Sequence, residues 1–376
     1  MASELKVNTI TEATSGSGIT FAKDIIPATS LSHRNMIING GMTVAQRGTG
    51  FSAIHGDQYA ADRFKFNCGD EDELRLSITR ENSGPTGFSN SIRLNVTTAE
   101  SAIASNEYAR ILTTLEGQDL QHLDYGASGA KTTTISFWVK SSLTGTYGFL
   151  IYQYDGDDTL GATYTINSAN TWEKKTISIA GHTASAIAND NTVAIQLNWH
   201  LMAGSDYKGT DNTSWGAYSA SKYAHGHAVD WGTNTSHDFW LSGVQWELGS
   251  VATPFEHKSY AEELQKCYRY FYALHPKGGI DQYISNAWFY SATQVFSIVR
   301  HPVEMNHAPD VESSNVTNGF QLWKNGSLSF NSISKNGSTP YATNLYSAGF
   351  SGQTAGQSFG LYSDSNDSYI YLDSEI

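Results

Sequence analysis

His225-Gly226-His227 is the pairing in this 376-residue sequence that most suggests metal chemistry, with His237 and Asp238 close behind. On an extended segment the two imidazoles would share a face. Three such pairs meeting on the axis of a trimer would offer six nitrogens to a transition metal. The pair sits in a stretch rich in Ser, Gly and Asn, where solvent-facing loop histidines are the plainer reading, and no metal is assigned. Asp155, Asp157 and Asp158 in QYDGDDTLG form the densest acidic cluster. Hard oxygen ligands suit Ca²⁺, but the EF-hand spacing is missing, and a solvated hairpin turn accounts for the cluster better. No G-x-S-x-G elbow occurs, no Cys has a nearby His in an electropositive setting, and no Walker or Rossmann glycine pattern opens a helix. The paired carboxylates of a glycosidase, about 5–9.5 Å apart, come from any two places in a fold, so spacing does not identify them. No catalytic residue and no cofactor is assigned.

The segment Ala203–His237 is the best functional candidate. It has few aliphatic residues and carries Tyr207, Trp215, Tyr218, Tyr223 and Trp231 among Ser, Gly, Asn and His. A long loop of this kind inside a compact domain is usually functional. Sugars have apolar C–H faces that stack on flat rings, and neighbouring Asn, Ser and Asp groups hydrogen-bond their hydroxyls. Trp215, Tyr218, Tyr223 and Trp231 are therefore candidate ligand-binding residues. The competing reading is a lid, with the rings folded back over the core.

A loop of that sort needs a rigid scaffold, and the flanking sequence supplies one. Leu74, Leu76 and Ile78 alternate with polar residues, as do Ile92, Leu94 and Val96, then Ile135, Phe137 and Val139, and Val193, Ile195, Leu197 and Trp199. Period-2 patterning repeated between turn clusters predicts a sandwich or jelly roll from about residue 34 to 258. In HDFWLSGVQWELG bulk falls on both faces, with Phe239 and Leu241 on one and Trp240, Val244 and Trp246 on the other. A helix is predicted at Ser259–Tyr272, opened by the Ser259/Glu262 capping box, with Leu264, Cys267, Tyr268 and Phe271 along one face. It serves as a connector over 259–275. Short strands resume over 276–376, with hairpin signals at Asn325-Gly326 and Asn336-Gly337. Residues 1–33 hold two short apolar patches, Leu5–Ile10 and Ile19–Phe21, too small to bury a core alone, which suggests an anchor or stalk that pairs with another chain. No repeat of 20–50 residues supports a β-helix or propeller.

Composition agrees. Charged residues are 16% of the chain, while Gly 34, Tyr 21, Phe 16 and Trp 9 fit short strands and tight turns. The net charge of −13, with no compensating basic run, argues against a nucleic-acid or anionic-membrane partner. Cys68 and Cys267 are far apart and read as reduced core residues. The opening MASELKVNTI lacks the apolar core of a secretory signal, so synthesis and folding in a cytoplasm are expected.

Several stretches resemble phage tail-fibre proteins. ELKVNTITEATSGSGITF is similar to their short N-terminal segment, and NMIINGGMTVAQRGTG with YAADRFKF to the start of their jelly roll. ISFWVKSSLTGTYGF, INSANTWEKKTISIAG, LMAGSDY and FWLSGVQWELGSVATPFEHKSYAEELQKCYRYF resemble its later strands and exit helix. HPVEMNHAPDV and YIYLDSEI resemble the C-terminal β domain that follows. The resemblance implies a mainly β virion protein: an N-terminal anchor (1–33), a jelly-roll β-sandwich (34–258) similar to carbohydrate-binding modules, a connector helix (259–275) and a smaller receptor-binding β domain (276–376). It implies a non-enzymatic tail fibre, made in the host cytoplasm, that attaches to a host surface polysaccharide or outer-membrane receptor. Partners would be two further copies in a homotrimer, with Leu264, Cys267 and Phe271 toward the threefold axis, and tail or baseplate proteins at the N-terminus. The alternatives are a capsule-degrading tailspike enzyme, which would be expected to show a long β-helix pattern, and a bacterial carbohydrate-binding adhesin. Modules of the resembling type often hold a structural Ca²⁺ at an NGGFE-like start. Here Asn39, Gly40 and Gly41 match, but Met42 and Thr43 replace the Phe-Glu and remove the carboxylate.

Overall fold

Alternation along the chain decides which side chains meet. In the computed structural model the residues described are 32–69, 73–209, 211–275, 282–314, 319–324, 326–329, 332–363, 365 and 368–376. The patches at Leu5–Ile10 and Ile19–Phe21 therefore lie outside the described residues. The first unit contains β1 (Gly50–Ile54), β2 (Gln58–Ala61), β3 (Phe64–Gly69), β4 (Arg75–Glu81), β5 (Ser91–Thr98), β6 (Tyr108–Glu116) and β7 (Thr133–Ser141). It continues with β8 (Gly145–Gln153), β9 (Asp158–Ile166), β10 (Glu173–Ile179), β11 (Val193–Ala203), β12 (Gly216–Ala217) and β13 (Asp238–Leu248). They form two antiparallel sheets, β1-β4-β5-β13-β7-β10 and β12-β9-β8-β11-β6-β3-β2. The inner faces close on one apolar core, with Ile78, Leu94, Phe137 and Leu241 from the first sheet and Phe66, Ile111, Phe149 and Trp199 from the second. This is a jelly-roll-like β-sandwich, and the chain as a whole is mainly β.

Strand β13 departs from the simple alternation. Phe239, Leu241, Val244 and Trp246 all reach the core, and Trp240 alone of the five lies on the outer side beneath Lys140. A bulge between Ser242 and Gln245 supplies the extra residue that flips parity. Gly243 makes it possible: its φ is +60°, and a Cβ there would come within 2.6 Å of Phe88.

The helix α1 spans Tyr260–Tyr268, shorter than the predicted Ser259–Tyr272. Ser259 caps it as expected, its hydroxyl accepting from the Glu262 N–H at 3.2 Å. The aromatic run that follows becomes strand β14 (Phe271–His275), because it finds a ladder partner in β23 (Tyr369–Asp373). Between them lie β15 (Gln282–Phe289), β16 (Gln294–Arg300), β17 (Asp310–Ser314), β18 (Phe320–Trp323) and β19 (Ser327–Ser329). Then come β20 (Ser334–Thr339), β21 (Ala342–Ala348) and β22 (Ser358–Ser363). A three-stranded sheet, β14-β23-β17, and a seven-stranded sheet, β19-β18-β22-β15-β16-β21-β20, enclose a second core around Phe289, Phe320, Leu322 and Leu361. Strands β18 and β19 pair on either side of Asn325-Gly326, as predicted. Asn336-Gly337 is not a turn: it lies inside β20, where the register slips between Lys335 and Gly337. Among the described residues no helix is long and apolar enough to cross a membrane.

Ion pairs tie the second unit to the first. Arg63 reaches Glu375, Arg47 reaches Asp373 at 2.9 Å and Glu375 at 3.3 Å, and Arg269 reaches Glu116 at 2.6 Å. Cys267 and Phe271 are fully buried within the chain, and Phe271 lies beneath Arg47 at 3.4 Å. The packing that buries them is intrachain, so it removes both from the threefold contact expected of them. Leu264 remains half-buried beside Tyr260, Tyr268 and Tyr371.

Candidate functional site

Residues of β6, β8 and β11 that alternate away from the core build the outer face of the second sheet. Arg110 of β6 lies opposite Asn67 of β3 in the ladder, and β11 runs along its other side. Its Nε donates to Asn67 Oδ1 at 2.6 Å and its Nη1 to Asn198 Oδ1 at 3.0 Å. The guanidinium lies 4.8 Å from the Tyr223 ring and 5.1 Å from the Tyr108 ring. Tyr207 packs edge-on to Tyr108 at 5.5 Å and lies 5.8 Å from Tyr223. Tyr218 links Tyr223 at 6.0 Å to Tyr152 at 5.3 Å, and Tyr152 meets Tyr154 at 4.5 Å. Six tyrosines thus run contiguously across the sheet, two of them, Tyr108 and Tyr223, against one arginine. Tyr154 and Tyr218 are the exposed members, at 42% and 37%.

The segment after β11 is held in place by its own backbone. Ala224 N–H donates to Tyr207 O at 2.8 Å, Gly161 N–H to Asn212 O at 2.6 Å, and β12 pairs with the edge of β9. Tyrosines 207, 218 and 223 are therefore set on a structured strap. On the opposite side the β8–β9 hairpin presents Tyr152 and Tyr154, and its turn contains the acidic cluster. Asp157, at φ +51°, accepts from the Tyr152 hydroxyl, Asp155 accepts from Ala188 N–H at 3.0 Å, and Asp158 accepts from Ser185 at 2.5 Å and contacts His182 at 2.9 Å. The cluster is a hairpin turn whose carboxylates are engaged by protein donors.

The four predicted ligand residues part company. Tyr218 and Tyr223 join the tyrosine face. Trp231 is fully buried in the sandwich core. Trp215 is half-buried elsewhere: its indole N–H donates to Ala180 O at 2.7 Å, its ring stacks on His182 at 4.5 Å, and Tyr125 packs edge-on at 5.8 Å. Sequence reasoning missed Tyr108, Arg110, Tyr152 and Tyr154. The alternation in YARILTTLE and GFLIYQY places them on the outer face, but their meeting depends on β11 pairing between β6 and β8.

His225 and His227 do not form a matched pair, because Gly226 at φ +65° turns the chain between them. His227 is buried and its Nδ1 accepts from Gly148 N–H at 3.0 Å, while His225 Nε2 lies 3.7 Å from Asp211. Burial pushes His227 down to about 4, with Lys208 adding to the effect, and holds His200 well below the ordinary imidazole range. Among the described residues no group of three or more His, Cys, Asp or Glu side chains could hold a metal ion. Asn39 spends its side chain on its own loop, donating to Val44 O and Asp62 O at 2.9 Å and accepting from Thr43 and Val44 N–H.

No protein-family model and no curated protein matches the chain. Among solved structures it is similar to the enzymatically active domain of bacteriophage CBA120 tailspike protein 4, with 13% identity over 57% of this chain and a TM-score of 0.31. It spans 21% of that tailspike domain's length. It is also similar to the family 11 carbohydrate-binding module of Clostridium thermocellum in complex with a β-1,3-1,4-mixed-linked tetrasaccharide, with 12% identity, 55% of this chain, 97% of that one and a TM-score of 0.28. The CBM22-1 xylan-binding domain of Paenibacillus barcinonensis Xyn10C gives 12%, 56%, 100% and 0.24. Likeness of this degree assigns no ligand, activity or partner to this chain.

Proposed function

We propose that this chain is a non-enzymatic attachment protein of a tailed-phage virion that holds a host surface glycan against the tyrosine face of its jelly roll. The observation that carries the reading is the run of tyrosines from Tyr154 through Tyr218 to Tyr223, mounted on a sheet and a pinned strap around Arg110. Rigid aromatic rings with polar tips give contact area at small entropic cost, and their hydroxyls serve as donors and acceptors for sugar hydroxyls. Among the described residues the Asp157 carboxylate is taken up by Tyr152, and Asp57, bonded to Asn67 beside Arg110, is taken up by Lys65. That favours holding a sugar over hydrolysing one. The virion setting, the homotrimer and an N-terminal contact with tail proteins rest on the sequence resemblance to tail fibres.

A second reading puts the receptor contact on the C-terminal sheet, where Tyr283 and Trp323 are 68% and 45% exposed and flank Tyr362 at 5.4 and 6.4 Å. Binding of the purified chain to a panel of bacterial capsules and lipopolysaccharides separates the two. Tyr154→Ala with Tyr218→Ala is expected to weaken binding by roughly 1–3 kcal/mol per ring, on the scale of base–aromatic stacking, and polymer size should not fall on incubation. Binding lost instead with Tyr283→Ala and Trp323→Ala would move the site to the C-terminal sheet. Depolymerisation of a capsule would replace attachment with an enzyme.

A further inference from the structure

Arginine is seldom buried without a carboxylate, and the contrast within this chain is direct. Among the described residues two arginines are buried, Arg63 at 2% and Arg110 at 9% exposure. Arg63 meets Glu375. Arg110 has no ion pair among the described residues: its partners are the neutral amide oxygens of Asn67 and Asn198. The nearer candidates for a counter-ion are committed elsewhere. Asp57 pairs with Lys65 at 3.0 Å and reaches Arg110 only through the Asn67 amide, and Asp157 holds the Tyr152 hydroxyl. Nη2 makes no hydrogen bond to a described residue. Burial correspondingly lowers the pKa of Arg110 from its ordinary value, against weaker opposing pulls from Tyr108, Tyr154 and Asp57.

From the position of this cation against Tyr108 and Tyr223, at the end of the tyrosine run, we infer that the glycan bound on the tyrosine face carries a carboxylate, as a uronic or sialic acid does, and that Arg110 receives it. The inference rests on the glycan reading of the same face. A guanidinium whose Nη2 is uncommitted can donate charge-assisted N–H···O bonds to a carboxylate, and the exchange of a lone buried cation for a buried ion pair favours the acidic sugar. The sugar ring bearing that carboxylate then stacks on Tyr154 or Tyr218, the exposed rings of the face.

The test uses the full chain and polygalacturonate, alginate, hyaluronan and polysialic acid, each beside its carboxyl-reduced neutral form. At least one acidic polymer should bind about tenfold or more tightly than its reduced form, the factor expected for a hydrogen-bonded charged group. Arg110→Gln should erase that preference, and Arg110→Lys should keep part of it. The comparison of native with reduced polymer needs no variant, so a poorly folding Arg110→Gln protein leaves the inference testable. Equal binding of both forms, lost in Tyr154→Ala with Tyr218→Ala, would overturn the carboxylate inference and leave the glycan reading standing. Binding insensitive to those tyrosine substitutions, or no binding of any polymer, would count against both.

Discussion

Trp231→Ala separates a core tryptophan from a ligand platform. The indole is fully buried in the sandwich core. A ring of that kind removes about 150–250 Å² from water, which at about 25 cal/mol per Å² is worth about 4–6 kcal/mol. Its N–H has no acceptor among the described residues, and an orphaned buried donor offsets about 1–3 kcal/mol of that gain. The net loss on truncation is therefore about 1–5 kcal/mol, its upper half overlapping the usual range for buried Trp→Ala. For a domain of this size that lowers Tm by about 2–20 °C. Trp231→Phe keeps most of the apolar area and discards the orphan donor, so it should stay within about 1.5 kcal/mol of the parent. Differential scanning calorimetry with urea unfolding of the three proteins gives the comparison. Unchanged melting of Trp231→Ala, together with weakened glycan binding by the folded protein, would refute the assignment of Trp231 to the core.

Two further outcomes follow from buried charge. Glu375→Ala leaves the Arg63 guanidinium, 1% exposed, with Thr114 and the Tyr270 ring alone; removing one partner of a buried pair should cost about 3–5 kcal/mol by urea unfolding, and a loss under 1 kcal/mol would show that the pair is not needed. Burial holds His227 at about 4 in the folded chain, against an ordinary imidazole value of about 6.5. The unfolded chain therefore binds the proton first. Stability from this group is complete above about pH 6.5 and is lost as pH falls toward 4, by about 3 kcal/mol in all. His200 acts in the same direction, and His227→Gln should flatten the slope of unfolding free energy between pH 6.5 and 4.5; an unchanged slope would assign it to other groups.

The scaffold was readable wherever one face of a strand is buried, because period-2 alternation then reports the face directly. Ile135, Phe137 and Val139 reach the core as the pattern required. It failed where a single residue changes parity: nothing in FWLSGVQW distinguishes a bulge at Gly243 from a strand with bulk on both faces. Helix α1 was readable at its capped start and not at its end, since Tyr270–Tyr272 suits helix or strand until β23 supplies a ladder. Tyr218 and Tyr223 were found through the composition of one segment. Trp231 follows the lid reading instead of the platform one, a choice that composition alone does not make because it does not reveal which rings fold inward. Arg110 carries no local signal at all, since a lone arginine in a strand becomes notable only when its neighbours in space prove to be amides and tyrosines.

The slipped register in β20 bears on how molecules of this kind can meet. Strand β20 closes one side of the seven-stranded sheet, and its outward row of N–H and C=O groups would otherwise be a template for a strand from a second molecule. The irregularity at Asn336-Gly337 breaks the even spacing such a guest would need. Lys335, drawn to Asp310 at 2.6 Å and Pro309 O at 3.1 Å, anchors that distortion to β17. At the far side of the sheet β19 offers three residues, Ser327–Ser329, too few for a lasting ladder. Copies of the chain at high local concentration are thereby hindered from zipping together along these edges.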